Sequence, residues 1–228
     1  MSVKKDKLTK GIVLLVTFTI VLAIMFMPVF GTKNGLSYLD DLYNSMSKGS
    51  AYYVPAIQKE VAAYTATRVA LELKMDNAAQ AVVGQALLTK AGASVTVNDI
   101  ALKFSGDLPS ILNACLADAD LMYHNDGVTI QSKYGSDERL AVYTWYQILK
   151  KAEKALVKDK LFKDAKIVAS VNHKTVEAAY NYYRIEPRTI GGSAGILIFS
   201  LVFYVIYTLW YGFGIMFLFE GIGMQLEH

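Results

Sequence analysis

Two long apolar runs lie near the two ends of the chain. Residues 190–219 hold thirty positions without a formal charge, and residues 11–30 form a second apolar run. A helix needs about 20 apolar residues to cross a hydrocarbon core of roughly 30 Å, so each run predicts a transmembrane helix. The more polar residues 31–189 between them are expected to form one domain outside the lipid.

Helical periodicity dominates the segment between the two runs. Apolar residues recur there at steps of three and four, which predicts helices over residues 36–48, about 50–75, 78–90, 107–123, from 136 onward, and about 172–184. Pro55 and Pro109 fall in first turns, and Gly92 follows a last turn, as expected at helix ends. In the helix from residue 136 we predict one apolar stripe, formed by Trp145, Ile148, Leu149, Ala152 and Leu156.

Two short stretches favour β-structure instead. Residues 93–97 and 127–131 are rich in β-branched side chains that alternate with other residues. They predict a small sheet within the helical domain. The fold class expected from the pattern is therefore a mainly α membrane protein, in which two transmembrane helices flank one mostly helical domain with a small β-sheet.

The basic segment 1–10 sets the predicted orientation, because positive charge beside a span favours the cytoplasmic side. It carries four lysines: Lys4, Lys5, Lys7 and Lys10. The following run is too long for a cleaved signal peptide and lacks a small-residue cleavage site, so we interpret residues 11–30 as an uncleaved signal anchor. Both termini, including the tail 220–228, are then cytoplasmic, and residues 31–189 are extracytoplasmic at the cell membrane. Residues 226–228 resemble a cloning-site remnant.

Charge and composition exclude several classes of function. The net charge of +3 equals that of the lysine-rich N-terminal segment with Asp6, so the rest of the chain is neutral and a nucleic-acid partner is not expected. Cys115 is the single cysteine, which excludes an intramolecular disulfide, and its apolar helical neighbours predict a buried thiol. We find no nucleophile, nucleotide-binding or haem-attachment motif and therefore expect no enzyme activity and no cofactor.

Two charged clusters have weak functional interpretations. Asp118, Asp120, His124 and Asp126 offer oxygen and nitrogen ligands for a cation, but the calcium-loop pattern fails at Met122, and a solvated helix end is the preferred interpretation. The second cluster is a series of lysines that could meet anionic headgroups or an acidic partner, although a solvated helix face is preferred. Its members are Lys150, Lys151, Lys154, Lys158, Lys160, Lys163 and Lys166.

The second apolar run carries polar and small residues where lipid contact would disfavour them. Tyr204 and Tyr207 lie near its middle, outside the interfacial belts where tyrosine is usual, and an unpaired hydroxyl in hydrocarbon costs several kcal/mol. Glycines allow helices to approach closely. We therefore expect a helix-packing or subunit interface at seven positions: Gly191, Gly195, Ser200, Tyr204, Tyr207, Thr208 and Gly212.

These features favour a non-catalytic subunit of a membrane protein complex. Its extracytoplasmic helical domain would dock partners while its spans pack against other subunits or against copies of itself. A homo-oligomeric two-span channel is the alternative, since two spans and a large external domain suit a ring of subunits. An extracytoplasmic ligand sensor is a further alternative, which the short cytoplasmic tail disfavours. The expected partners are thus the lipid bilayer and other membrane subunits or self.

Overall fold

A computed structural model describes residues 4–28, 31–65 and 68–224 of the chain. The suspected cloning-site remnant lies outside the described residues. The chain divides into two units, which we name the span unit (Met1–Met46 with Arg188–His228) and the central unit (Ser47–Pro187). Residues 31–46, which the sequence pattern places in the external domain, thus group with the spans.

The span unit contains three long helices: α1 (Lys5–Phe26), α2 (Gly35–Ser50, whose last turn belongs to the central unit) and α10 (Ile190–Gly221). Helix α1 begins inside the basic segment and ends before residue 30, because Pro28 disfavours helical backbone at Met27, which is extended (φ −77°, ψ 152°). Both α1 and residues Ala194–Gly221 of α10 are long and apolar enough to cross a membrane. Only 6% of each apolar window is buried, unlike a core helix of a soluble protein.

The central unit is mainly helical. Its elements in chain order are α3 (Val54–Ala62), β1 (Arg68–Lys74), α4 (Ala78–Lys90), β2 (Ser94–Asn98), β3 (Ala101–Asp107), α5 (Leu108–Tyr123), α6 (Gly127–Tyr134), α7 (Glu138–Lys158), α8 (Phe162–Val171), a π-helical turn (Asn172–Val176) and α9 (Glu177–Asn181). Side-chain caps fix several starts, since Asn77 and Asp107 accept the backbone N–H groups of Gln80 and Ser110. The predicted helices 78–90 and 107–123 are confirmed.

The three strands form one antiparallel sheet in the order β1–β3–β2. Leu71 and Val95 both stand opposite Phe104 of the central strand and lie on the face that packs against the helices. The other face is polar, with Glu72 paired opposite Lys103. Alternation of apolar and polar residues therefore gives this sheet one core face and one solvated face.

The predicted apolar stripe of α7 is confirmed and forms the centre of the core. Trp145, Ile148, Leu149, Ala152 and Leu156 are each at most 4% exposed. They pack with buried residues of α5 such as Leu112 and Leu116. Asp137 caps this helix by accepting the N–H of Leu140, so the predicted start at residues 136–138 is correct.

The predicted helix over residues 50–75 is correct in its first half and wrong in its second. Helix α3 ends at Ala62, and Arg68–Lys74 is strand β1, whose residues alternate between exposed and buried. The buried residues of β1 recur at every second position, at Val69, Leu71 and Leu73. Pairing with β3 favours this two-residue period of a strand over the three- and four-residue steps of a helix. Strong helix formers in this stretch are thus overridden by pairing with a strand that is distant along the chain, in a register that runs from Arg68 opposite Asp107 to Lys74 opposite Ala101.

The predicted sheet is correct in part. Strand β2 confirms residues 93–97, but residues 127–131 are helical in α6, and β3 takes the place predicted for them. Asp126 caps α6 by accepting the Thr129 N–H, and Gly135 ends it in the left-handed region (φ 64°). These local signals outweigh the β-branched Val128, Thr129 and Ile130.

The predicted helix start at Asn172 is also wrong. Helix α8 begins at Phe162 and continues through the π-helical turn into α9. The apolar stripe of α8, which includes Val168 and Val171, is fully buried and carries the helix past Asn172. The chain leaves helical backbone only after Asn181, near the predicted end at Arg184.

Candidate membrane interface

Helices α1 and α10 pack side by side in antiparallel directions. Lys7 Nζ donates to Glu220 Oε2 at 2.5 Å at one end of the pair. Farther along, the rings of Phe18 and Tyr207 stack with centroids 4.2 Å apart. The start of α1 and the end of α10 therefore lie at the same end of the pair, as a two-span membrane protein with both termini on one side requires.

One side of α10, which we name the inner seam, packs on α1 and, at Ser200, on α2, with the spacing of a coiled coil. Its residues recur at steps of three and four and are buried or half-buried: Ser200, Phe203, Tyr207, Trp210, Gly214, Phe217 and Gly221. Steps that average 3.5 residues keep one side of a helix against its neighbour when the two wind around each other. Helices α1 and α10 are thus joined along most of their length.

Glycines provide the closest approach in the inner seam. A Cβ atom on Gly11 would lie 2.6 Å from the backbone nitrogen of Leu218, and one on Gly221 would lie 2.5 Å from that of Leu8. Backbone atoms of a helix cannot move aside cheaply, so these two positions require glycine. Neither glycine was among the predicted interface residues, since a glycine in an apolar run does not reveal which side of the helix it faces.

The opposite side of α10 carries a second line of heptad spacing, which we name the outer seam. All of its residues are exposed in the described structure: Gly191, Gly195, Ile198, Val202, Val205, Leu209 and Gly212. A Cβ atom built on any of its three glycines meets no described atom within 4 Å. The three glycines predicted for an interface therefore lie together on the uncovered side of α10.

The four predicted polar residues lie elsewhere on α10. Tyr204 is 67% exposed, and no described residue hydrogen-bonds its hydroxyl. The Thr208 hydroxyl donates to the carbonyl of Tyr204 at 2.8 Å, within its own helix. The Tyr207 hydroxyl is buried in the inner seam, as is Trp210 Nε1, and neither has a hydrogen-bond partner among the described residues.

Ser200 joins α10 to α2. Its hydroxyl lies 2.5 Å from that of Tyr43 and also donates to the carbonyl of Leu197 at 2.8 Å. Beside this contact is an apolar cavity of about 430 Å³ between the three helices of the span unit. Its lining residues are Ile24, Met25, Gly35, Tyr38, Leu39, Ile196, Phe199, Ser200 and Phe203.

In the central unit, Asp118 is not available to a cation. Its carboxylate is fully buried and accepts from Lys133 Nζ at 2.7 Å, Tyr134 Oη at 2.5 Å and Trp145 Nε1 at 2.8 Å. Burial and the hydrogen bond to Asp118 raise the pKa of Tyr134. This network fastens α5, α6 and α7 to one another, and apolar packing surrounds it.

The other cation candidates have separate partners. Asp120 accepts from Tyr52 at 2.7 Å and lies 3.3 Å from His124 Nδ1, whereas Asp126 caps α6. Within residues 4–28, 31–65 and 68–224, no group of three or more His, Cys, Asp or Glu side chains is arranged to hold a metal. The thiol of Cys115 is buried as predicted, and burial raises its pKa.

A buried lysine joins the first and last segments of the central unit, a role that the sequence did not indicate. Lys48 Nζ donates to Asn125 Oδ1 at 2.9 Å and to the carbonyl of Ile185 at 2.6 Å. Burial lowers the pKa of Lys48, while the nearby carboxylate of Glu186 opposes that shift. Both connections of the central unit therefore leave it at neighbouring points.

We compared the chain with protein-family models, curated proteins and solved structures, and it matches none of them.

Proposed function

We propose that the chain is a non-catalytic subunit of a membrane complex. Its two spans pack against spans of other subunits, and its extracytoplasmic central unit docks a partner. The observation that carries the proposal is the outer seam of α10. This line of heptad spacing is not covered by any described residue and contains Gly191, Gly195 and Gly212.

Glycine on a lipid-facing surface would have a cost without a benefit. In a helix interior it is about 1 kcal/mol less favourable than alanine, and it offers lipid little packing area. At a contact between spans the same residue allows the two backbones to approach closely. Three glycines on one heptad line therefore favour a second helix over lipid as the neighbour of the outer seam.

Tyr204 supports the same conclusion from a different side chain. Its hydroxyl lies near the middle of α10 and has no partner among the described residues. Hydrocarbon cannot hydrogen-bond this group, so a neighbouring subunit that accepts a hydrogen bond from the Tyr204 hydroxyl is favoured. Measured interhelical hydrogen bonds are worth about 0.6 kcal/mol, so we assign Tyr204 a smaller share of assembly than the glycines.

The proposed orientation rests on charge and on helix pairing. The lysines at the start of α1 favour a cytoplasmic N-terminus, and the antiparallel pairing of α1 and α10 then brings the end of α10 to the same side. The junction at Lys48 supports two anchors that leave the central unit together.

A homo-oligomeric channel is the competing proposal, and the chemistry of the outer seam disfavours it. The seam consists of glycine and aliphatic side chains alone. Such a surface suits a dry contact between helices, whereas a water-filled path needs polar or charged groups along its wall.

The test is the composition of the particle that the chain forms in its native membrane. We expect extraction in mild detergent to yield the chain together with other membrane subunits. Gly195→Leu and Gly212→Leu place bulk on the outer seam and should release those subunits. Gly192→Leu is the matched control, because this glycine lies off the seam and faces open space apart from Thr189 of its own chain.

The outcomes separate the two proposals. A particle made of copies of this chain alone would favour the channel. If both seam variants keep the same partners and particle size as Gly192→Leu, the outer seam is not an assembly surface and the subunit proposal fails. Tyr204→Phe should have a weaker effect than either glycine variant.

A further inference from the structure

Strand β1 has an open edge in the described part of the chain. It stands first in the order β1–β3–β2, so β3 pairs with one of its sides and no described strand pairs with the other. The N–H of Met75 donates to the carbonyl of Ile100 at 2.8 Å, which extends the β1–β3 register by one hydrogen-bonded pair. Such pairs alternate along an antiparallel ladder. The backbone groups of Val69, Leu71 and Leu73 therefore bond to β3, and those of the residues between them point away from it.

The residues of β1 whose backbone groups point outward are all exposed, and no described residue hydrogen-bonds these groups. They are Arg68, Ala70, Glu72 and Lys74. Strand β1 runs for seven residues in unbroken register, without a proline or a bulge. Strand β2 at the other edge has five residues, and by the same alternation its outward groups are those of Val95 and Val97. A long and regular edge is a template for a further strand, so pairing is favoured at β1.

The order of charges makes β1 complementary to a second copy of itself. Arg68 and Glu72 lie four residues apart, with Ala70 midway between them. In an antiparallel pair centred on Ala70, Arg68 of each copy faces Glu72 of the other. Within one chain, Glu72 already stands opposite Lys103 and Arg68 opposite Asp107. The pairing would thus extend each of these rows across four strands with alternating charge, and facing opposite charges stabilise a sheet.

We propose that β1 pairs antiparallel with β1 of a second copy of this chain and joins the two sheets into one sheet of six strands. The outward backbone groups of Arg68, Ala70 and Glu72 hydrogen-bond across a two-fold axis at Ala70. Such an axis makes the contact self-complementary and closed. The inference goes beyond the proposed function, because it concerns one edge of the central unit and needs neither the spans nor the outer seam.

Charge also favours this register over its neighbours. Shifts by two or four residues keep outward backbone groups facing one another, so the side chains decide among them. A shift by two in one direction would place Arg68 opposite the partner's Lys74, and a shift by four would place the Glu72 side chains of both copies opposite each other. A strand of another protein would need its own matching charges, whereas a second copy has them already.

A single cysteine on the proposed axis tests the contact, with the full chain oxidised in its native membrane. Ala70→Cys would place the thiols of two copies in facing positions, with Cα atoms about 5.5 Å apart. This separation is within the range of about 4.4–6.8 Å that a disulfide bridges. We expect a disulfide-linked dimer, identified by its mass, and Cys115 is buried and should not compete. Thr96→Cys is the matched control, at an exposed position on the other edge strand, and should form dimer at least tenfold more slowly.

Charge reversal tests the register in the Ala70→Cys background. Arg68→Glu or Glu72→Arg turns both facing pairs between the copies into like-charge pairs, so the initial rate of disulfide formation should fall about tenfold. The two reversals together restore opposite charges between the copies and should restore the rate. Within one chain the double variant is worse than either single variant, because it places like charges opposite both Asp107 and Lys103. Rescue can therefore come only from the contact between copies.

Three results would overturn the inference. Ala70→Cys may not exceed Thr96→Cys in the rate of dimer formation, which would show that the β1 edge does not meet a second copy. A disulfide from Ala70→Cys to a different polypeptide would identify a foreign strand as the occupant of this edge. Equal rates in the parent, the single reversals and the double reversal, or a loss without rescue, would show that Arg68 and Glu72 do not face each other across the axis.

Discussion

The central unit and the pair of helices α1 and α10 bury different kinds of residues. In the central unit, large side chains such as Trp145 and Leu112 are completely buried. In the span unit, Phe199 and Tyr204 are each 67% exposed, whereas Gly214 of the inner seam is buried. Water drives large apolar groups inward in the central unit. Lipid, in which the proposed function places α1 and α10, would give no such drive, and these two helices meet through close backbone contact at small residues.

Buried polar groups differ between the two units as well. The carboxylate of Asp118 receives three donors inside the central unit. The Tyr207 hydroxyl and Trp210 Nε1 of the inner seam have no partner within the described residues. The central unit therefore uses a polar network to fix helix positions, whereas the contact between α1 and α10 depends mainly on the complementary shapes of the two helices.

The largest loss of stability is expected when the hydrogen-bond network of Asp118 is removed. Asp118→Ala leaves Lys133 without its counter-ion and two further donors unpaired, so we expect a loss of about 3 kcal/mol in the free energy of unfolding of the central unit. Urea unfolding followed by Trp145 fluorescence, in a Trp210→Phe background, measures it. Asp120→Ala is the matched control on the same helix.

Asp120 has a side chain that is 37% exposed, so its removal should cost under about 1 kcal/mol. Equal losses in the two variants would show that the buried network contributes no more than a surface contact. The contrast between the units would then rest on apolar packing alone.

The next effect concerns the inner seam. Gly11→Leu forces a side chain against the backbone of Leu218 and should weaken the pairing of α1 and α10 by about 1–3 kcal/mol. Separation exposes Trp210, so a brominated detergent should quench its fluorescence more strongly, while Trp145 stays protected inside the central unit. Gly195→Leu makes the same change on the outer seam of the isolated chain and should leave quenching unchanged. Similar quenching in both variants would contradict the assignment of the two seams.

Local signals explain how much of the fold could be predicted. The spans follow from the length of two apolar runs, and α4, α5 and α7 follow from periodicity with capping residues such as Asn77 and Asp137. Strand β1 could not be recognised in the same way, because its choice between helix and strand depends on pairing with β3. The prediction failed at α6 for the converse reason. There the local capping residues favour a helix and outweigh the β-branched composition, which had predicted a strand.

The candidate site was predicted less completely than the fold. The packing role predicted for Gly191, Gly195 and Gly212 stays a prediction, because the division into inner and outer seams depends on how α1 lies against α10. Lys48 gave no signal in the sequence, because its partners Asn125 and Ile185 are distant along the chain. Residue type indicates what a side chain can do, whereas tertiary contacts determine which partner it has.

A smaller change in stability is expected at Asn172. Like Asp118 it is a fully buried polar residue of the central unit, but it lacks hydrogen-bond partners among the described residues. Its side chain is fully buried in the π-helical turn, and neither amide atom has a partner among the described residues. Asn172→Leu keeps the approximate shape of the side chain and removes two unpaired polar atoms. We therefore expect the free energy of unfolding, measured in urea, to rise by about 1 kcal/mol. Asn125→Leu, which removes a hydrogen-bonded amide, should instead reduce stability. A loss at Asn172 would mean that its amide is paired in solution.

The smallest effect concerns the alkaline limit of the central unit. Burial, followed by the hydrogen bond to Asp120, raises the pKa of Tyr52 from 10.0 to about 12. A raised pKa gives stability that is complete below the unfolded value of 10.0 and is lost as the pH rises through the folded value of about 12. The difference in urea midpoint between the wild type and Tyr52→Phe should therefore be largest below pH 10 and shrink toward about pH 12. Tyr53→Phe, at a neighbouring residue that is 50% exposed, is the control. A difference that stays constant over this range would place the Tyr52 hydroxyl in water and remove Asp120 from the polar contacts that distinguish the central unit from the spans.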